Sequence, residues 1–206
     1  MVLGNWVSMN DKTNARIIEI ELQLICEILS GNAERYYELI APIERRVYFT
    51  AYEILGSPAD AEEVAQEAIL KGFRNLASFR GESKFVTWLM RITINEARSR
   101  LRNSREVSLE SLQRESSEGD YTPIQLADWR EVPEKALEQK DLANHLTTAI
   151  ESLPLPYREV LILRDIDGLT IAETSKVLEI SLSNVKIRLL RARFMLRDYF
   201  VSNRLI

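Results

Sequence analysis

Residues 170–197, TIAETSKVLEISLSNVKIRLLRARFMLR, constrain the fold most, because they read as two helices joined by a very short turn. Thr170 followed three residues later by Glu173 has the form of a capping box, in which hydroxyl and carboxylate each satisfy an orphan backbone donor at a helix start. A helix therefore begins at about Ile171. It runs only about two turns, because Leu178-Glu179-Ile180 leads into Ser181-Leu182-Ser183-Asn184, side chains that compete with helix and favour a new N-cap. A second helix starts near Ser183, with Val185, Leu189, Ala192 and Leu196 as an apolar stripe facing the protein. Asn184, Ile187, Leu190, Arg191 and Phe194 lie on another face, flanked by Lys186, Arg188, Arg193 and Arg197. A basic rod of this kind suits a major groove, where cations neutralise phosphates and a row of side chains reaches base edges.

The net charge of −4 would argue against a nucleic-acid partner if it were spread evenly, and it is not. Residues 80–105 carry seven bases against two acids, residues 106–141 four against ten, and residues 176–197 six against one. Two basic islands flank an acidic bridge, and it is the local field that governs DNA binding. The stretches rich in Ala, Leu, Glu, Arg and Ile, with no alternating strand pattern, predict a nearly all-α chain. One cysteine, Cys26, leaves no internal disulfide, and one Cys with one His, His145, makes no zinc site. Cys26 sits in the apolar run IIEIELQLICEIL and is expected to be a buried core thiol. With no apolar run long enough to span a bilayer and no signal-peptide pattern, a soluble cytoplasmic protein is expected.

In chain order, residues 1–14 are weakly patterned and are expected to form a mobile tail, with Trp6 available to dock. Residues 15–29 form a helix buried on much of its circumference. Residues 33–55 form a second helical run that Pro42 kinks or divides. At Gly56-Ser57-Pro58 a helix stops and another starts, with Ser57 as N-cap and Pro58 in its first position. Val64, Ala68, Ile69 and Phe73 then face the core, leaving Asp60, Glu63, Gln66, Glu67 and Lys71 as a polar ridge whose first-turn acids favour the helix dipole. Ser78-Phe79-Arg80-Gly81-Glu82-Ser83 reads as a loop with an exposed aromatic beside a Gly hinge. Ser83 is placed to cap a helix over 84–103, with an inner stripe of Phe85, Trp88, Leu89, Ile92 and Ala97 and an outer face of Arg91, Asn95, Arg98, Arg100 and Arg102. An aromatic-containing loop beside a basic helix suits an unstacked strand. Residues 104–140, rich in Ser, Glu and Asp and broken by Pro123 and Pro133, form a flexible acidic linker with local order at Trp129. A further amphipathic helix over 141–152 carries Leu142, Leu146, Ala149 and Ile150.

The run LPLPYREVLILRDIDGLT with the two helices after it resembles region four of bacterial sigma factors of the sigma-seventy family, specifically the extracytoplasmic-function (ECF) group. DAEEVAQEAILKGF, then SFRGESKFVTWLMRITINEARSRLR, resembles region two of the same group. The resemblance implies two small helical domains, 15–103 and 141–206, and a promoter-specificity subunit with no catalysis and no cofactor. Asp60, Glu63, Gln66 and Glu67 then match positions facing the clamp of the largest polymerase subunit, and the partners implied are core RNA polymerase (clamp and flap), promoter DNA and an inhibitory anti-sigma factor. Phe79, Arg80 and Lys84 fall on the loop that captures a flipped minus-ten base, with Arg91, Asn95, Arg98 and Arg102 along the promoter strand. Ser183, Asn184, Lys186, Ile187, Arg188, Leu190 and Arg191 match the helix that reads the minus-thirty-five element. A coil of about 36 residues spans roughly 30–36 Å and stretches to about 110 Å, against an order of 50 Å between elements about one and a half helical turns apart.

Two departures from the family pattern stand out. Glu179 replaces the usual turn Gly, at about 1 kcal/mol or more if the left-handed geometry is kept. Thr174-Ser175 stand where an apolar residue and Ala are common. The competing reading is a stand-alone helix-turn-helix regulator that binds duplex without polymerase, which would not need the loop and basic helix at 79–105. An enzyme is disfavoured, since no Walker loop, metal-ligand spacing or nucleophile–base constellation is present.

Overall fold

The computed structural model describes residues 2–109 and 139–203, with side chains for 13–103 and 145–203. The described residues are helical, without strand: α1 (Val2–Leu29), α2 (Tyr36–Ile40), α3 (Glu44–Leu55), α4 (Pro58–Arg74), α5 (Phe85–Leu109), α6 (Gln139–Ser152), α7 (Leu155–Leu161), α8 (Ile171–Leu178) and α9 (Leu182–Ser202), with 3₁₀ turns at Ala33–Arg35 and Leu76–Ser78 and a π turn at Ile162–Ile166. The all-α expectation is met. The chain divides into two compact units, residues 1–52 with 57–98, and residues 53–56 with 99–206. Most of the expected linker, including Pro123, Trp129 and Pro133, lies outside the described residues. Of its ends, 104–109 continue α5 and 139–140 open α6. At the amino end α1 takes in residues 2–14, where the sequence analysis expects a tail, and the side chain of Trp6 lies outside the described residues.

Several element boundaries follow from local chemistry. Pro42 cannot donate within a helix, and the run over 33–55 is divided there into α2 and α3. Ser57 caps α4 by accepting the Asp60 N–H at 3.4 Å, with Pro58 at the first position.

The first unit closes around α4 and α5. Ala61, Val64, Ala65 and Ala68 of α4 and Phe85, Leu89, Met90, Ile94 and Ala97 of α5 are buried with Val47 and Ala51 of α3. Gly72 lets α4 approach closely, since a Cβ there would stand 2.7 Å from the Tyr36 hydroxyl and 2.8 Å from Leu89 Cδ1. The Tyr36 hydroxyl donates to the Ile69 carbonyl at 2.9 Å. Of the residues expected in the stripe of α4, Ile69 is half-buried, and Phe73 is largely exposed, with its ring 5.0 Å from that of Tyr36. On α5, Thr87, Met90, Thr93 and Ile94 take buried positions that the expected stripe gave to Trp88 and Ile92, both half-buried.

α1 is less enclosed than its composition suggests. Ile25 and Ile28 are buried, whereas Ile17, Ile20 and Leu29 are exposed, so over residues 13–29 the helix is covered along one side only. Cys26 lies off that side and is exposed, which corrects the expected buried thiol. A run of closely spaced apolar residues fixes how much of a helix can be buried, while the neighbours available fix how much is.

In the second unit α9 packs against α6, α7 and α8. Ala149, Ile150 and Leu153, then Val160, Leu161, Ile162, Leu163 and Leu169, surround Val177 and Leu178 of α8 and Val185, Leu189 and Ala192 of α9. Leu146 of α6, expected on the apolar side, is largely exposed.

Candidate nucleic-acid interface

The two short helices are set by caps that the chain carries locally. Thr170 Oγ1 accepts the Glu173 N–H at 3.1 Å and the Glu173 carboxylate accepts the Thr170 N–H at 2.8 Å, completing the capping box. α8 ends at Leu178, and Glu179 takes the left-handed conformation (φ 57°, ψ 39°) that family members meet with Gly. The Ile180 N–H then donates to the Ser175 carbonyl at 3.2 Å, a six-to-one closure of the helix end. The Ser175 hydroxyl donates back to the Ile180 carbonyl at 2.5 Å. Ser175, the second residue of the Thr174-Ser175 pair, thus ties together the turn that Glu179 strains. Thr174, the first residue of that pair, is fully buried, and its Oγ1 meets no partner among the described residues. Ser181 Oγ accepts the Asn184 N–H at 3.2 Å, so within the expected capping cluster 181–184 it is Ser181 that caps α9, which starts at Leu182.

The face of α9 away from the core carries the expected reading residues. Ser183, Lys186 and Arg191 are exposed, Ile187 and Leu190 are 51% and 53% exposed, and Asn184 and Arg188 are half-buried. Two flanking cations are already engaged. Arg193 forms a bidentate pair with Asp165 at 2.8 and 2.7 Å, and this bond is the main cause holding its guanidinium pKa above the ordinary value. Arg197 donates to Asp198 at 2.8 Å and lies 5.3 Å from the Phe194 ring centre. Arg191 donates to the Tyr157 hydroxyl at 3.2 Å, which steadies it while it stays exposed. The cationic side of α9 is therefore narrower than its sequence suggests. It consists of Lys186, Arg188 and Arg191 around two apolar side chains.

The basic helix of the first unit carries Arg91, Asn95, Arg98 and Arg102 at spacings of four, three and four, which places them on one face of α5. Asn95 and Arg102 are exposed, and Arg91 and Arg98 half-buried. Glu96, an acid within this helix, accepts from Lys71 Nζ at 2.6 Å, and that bond is the first cause of a raised Lys71 pKa.

The loop before α5 departs from expectation. Phe79 is 7% exposed, its ring edge-on to Phe85 at 5.8 Å and to Trp88 at 5.7 Å. The expected exposed aromatic is therefore a core residue, because the apolar pocket under the loop takes the ring. Arg80 and Glu82 remain outside and Lys84 is half-buried. Gly81 has φ +68°, and a Cβ there would stand 2.8 Å from Leu22 Cδ1 of α1. Ser83 does not cap α5: its hydroxyl donates to the Lys84 carbonyl at 3.4 Å. The first N–H of α5, that of Phe85, donates instead to the Glu21 carboxylate at 2.8 Å. Burial, the largest effect, raises the Glu21 pKa, against the Phe85 N–H and the Lys84 charge, which lower it.

On α4, Glu63 and Gln66 are exposed and Asp60 and Glu67 half-buried. Gln66 Nε2 donates to Glu62 at 3.4 Å, and Glu67 lies 3.7 Å from Lys71 and 3.9 Å from Arg74. The ridge is polar and largely open. Among the described residues no group of three His, Cys, Asp or Glu could hold a metal ion, and no helix is long and apolar enough to cross a membrane. Glu21, Tyr157 and Asp165 carry no readable signal in the sequence, because their parts depend on partners far along the chain.

Comparison with known proteins bears on both surfaces. The family model for Sigma-70 region 2 matches residues 39–107, and that for Sigma-70 region 4 matches residues 144–196. The ECF RNA polymerase sigma factor SigW of Bacillus subtilis is 31% identical over 173 residues, 84% of this chain and 92% of that protein. The RNA polymerase sigma-H factor of Pseudomonas aeruginosa is 29% identical over 85% of this chain and 91% of its own length, and the ECF RNA polymerase sigma-E factor of Escherichia coli is 29% identical over 82% and 88%. Among solved structures, the fold is similar to the sigma factor RpoE crystallised with the anti-sigma factor NepR from Bartonella quintana (TM-score 0.62, 22% identity, 80% of this chain and 96% of that one). It is also similar to CnrH in complex with the cytosolic domain of CnrY (TM-score 0.61, 22% identity, 87% and 96%).

Proposed function

Since this chain belongs to the ECF group of the sigma-70 family and is an RNA polymerase sigma factor, we propose how its parts divide the recognition of a promoter. The observation that carries the proposal is that the region-two and region-four matches occur in one chain in that order, with an open row of reading residues on α9. Asp60, Glu63, Gln66 and Glu67 on α4 form the ridge that meets the clamp of the largest polymerase subunit, while the second unit meets the flap. Arg80 and Lys84 on the loop, with Arg91, Asn95, Arg98 and Arg102 on α5, hold the opened minus-ten strand. Phe79 supports that loop from beneath, its ring being taken up by the core. Ser183, Asn184, Lys186, Ile187, Arg188, Leu190 and Arg191 on α9 read the minus-thirty-five element.

The protein supplies no catalytic group and needs no cofactor. Nucleotidyl transfer belongs to the polymerase, and the chain acts in the cytoplasm. The folded parts that do this are residues 15–103 and 141–206, tethered through 104–140, and tethering to polymerase lets two small basic surfaces act together. An anti-sigma factor is a further proposed partner, supported by the similar folds of RpoE and CnrH, each held in a complex of that kind or with a cytosolic domain. A stand-alone duplex-binding regulator would leave the region-two match without a purpose.

Transcription with core polymerase on a randomised promoter library tests the reading: start sites should cluster downstream of one pair of spaced elements, and no selection over core alone would overturn it. Ile187 and Leu190 sharpen the test, because apolar side chains on a reading face favour thymine methyls. Leu190→Ala should lower preference for the best minus-thirty-five sequence roughly fourfold, the order of one buried methylene at about 0.8 kcal/mol. Unchanged selectivity across minus-thirty-five variants would remove Leu190 from the reading face.

A further inference from the structure

The loop 79–84 is fixed at three points, two of which come from a helix far away in the chain. Phe79 is anchored in the core, Gly81 is closed over by Leu22, and Phe85 at the loop's exit gives its N–H to Glu21, 64 residues away. The first N–H groups of a helix lack intrahelical acceptors, and a carboxylate there also meets the favourable end of the helix dipole. A Ser, Thr or Asp at position 84 would cap the start of α5 locally, at the N–H of Val86 or Thr87. The position holds Lys84 instead, and the acceptor arrives from α1, on a carboxylate whose partial burial carries a desolvation cost. The costlier arrangement leaves a cation at position 84, on the loop assigned above to the minus-ten strand. α1 also precedes the segment matched by the region-two family model, which begins at residue 39, so this contact joins the matched domain to something outside it.

We propose that Glu21 is a positioning residue for promoter opening: from α1 it holds the start of α5, and with Leu22 beside it sets the loop that presents Arg80 and Lys84 to the minus-ten strand. The proposal rests on the reading that this loop holds the opened strand. An isosteric amide keeps the oxygen acceptor and loses the charge, so if the bond holds the loop, Gln at this position should serve as well.

The test uses the full chain as Glu21→Ala, Glu21→Gln and Arg80→Ala, each assembled with core polymerase on a promoter carrying 2-aminopurine in the minus-ten element. Glu21→Ala should slow the fluorescence rise of opening about tenfold, the order expected for loss of one hydrogen bond, and speed amide exchange of Phe85 and its neighbours by a similar factor. Its affinity for core polymerase should stay within about twofold, since the α4 ridge is untouched, and Glu21→Gln should restore both opening and exchange. Opening at the wild-type rate in Glu21→Ala overturns the positioning role. So does a loss of core affinity matching the loss of opening, which would mark general unfolding, and so does failure of Glu21→Gln to rescue. Arg80→Ala separates the two layers. If it opens normally, the assignment of the loop to DNA fails and the proposal fails with it. If it is slow while Glu21→Ala is not, only the role of Glu21 fails.

Discussion

The loop at 79–84 and the turn at 179–181 do comparable jobs, each setting the start of a basic helix, and they are built in opposite ways. Between α8 and α9 every fixing contact lies within a few residues: Thr170 with Glu173, Ser175 with Ile180, Ser181 with Asn184. Before α5 the fixing groups lie on α1, at Glu21 and Leu22, and in the aromatic core under Phe79. A locally capped turn keeps its geometry whenever its own helices are formed. A loop held from a distance depends on the packing of its whole unit, so it responds to changes far from DNA.

Three substitutions break or sharpen that contrast. The largest effect is expected at Gly81→Ala, where the left-handed backbone and the approach of Leu22 act together. We expect a loss of about 2 kcal/mol, read by urea denaturation of the first unit, with amide exchange of the second unit unaffected. Next is Ser181→Ala, which removes the N-cap of α9. About 1 kcal/mol should be lost, and faster exchange confined to the first turn of α9 would show that the damage stays local. Smallest in consequence, and opposite in sign, is Glu179→Gly, which relieves the one positive-φ non-glycine position among the described residues. It should raise stability by up to about 1 kcal/mol, visible as an upward shift in the melting temperature of the second unit, and no gain would mean that the Ser175–Ile180 bond already offsets the strain.

Much of the second unit was legible in advance because its signals are local. The capping box, the helix break near 179 and the stripe Val185, Leu189, Ala192 and Leu196 all depend on spacings within one or two turns, and all are found save that Leu196 is half-buried. In the first unit the same kind of reasoning placed Ser57, Pro58 and the break at Pro42, and then failed wherever burial depended on a neighbour. Phe79 was expected outside and is inside, Cys26 was expected inside and is outside, and Ser83 lost its capping role to Glu21. Likewise, Arg193 and Arg197 looked like DNA-facing cations and are engaged with Asp165 and Asp198.

By itself, then, the order of residues determined the all-α character, the caps of α4 and α8, the two basic islands and the family to which the chain belongs. All of these rest on interactions between residues close in the chain or on local charge, which remain the same whatever the rest of the molecule does. Which side of α1 is covered, which rings are available to a base, which arginines are left for phosphate and what holds the start of α5 were decided only by tertiary packing. Burial and ion pairing depend on distances between segments that chain order does not specify.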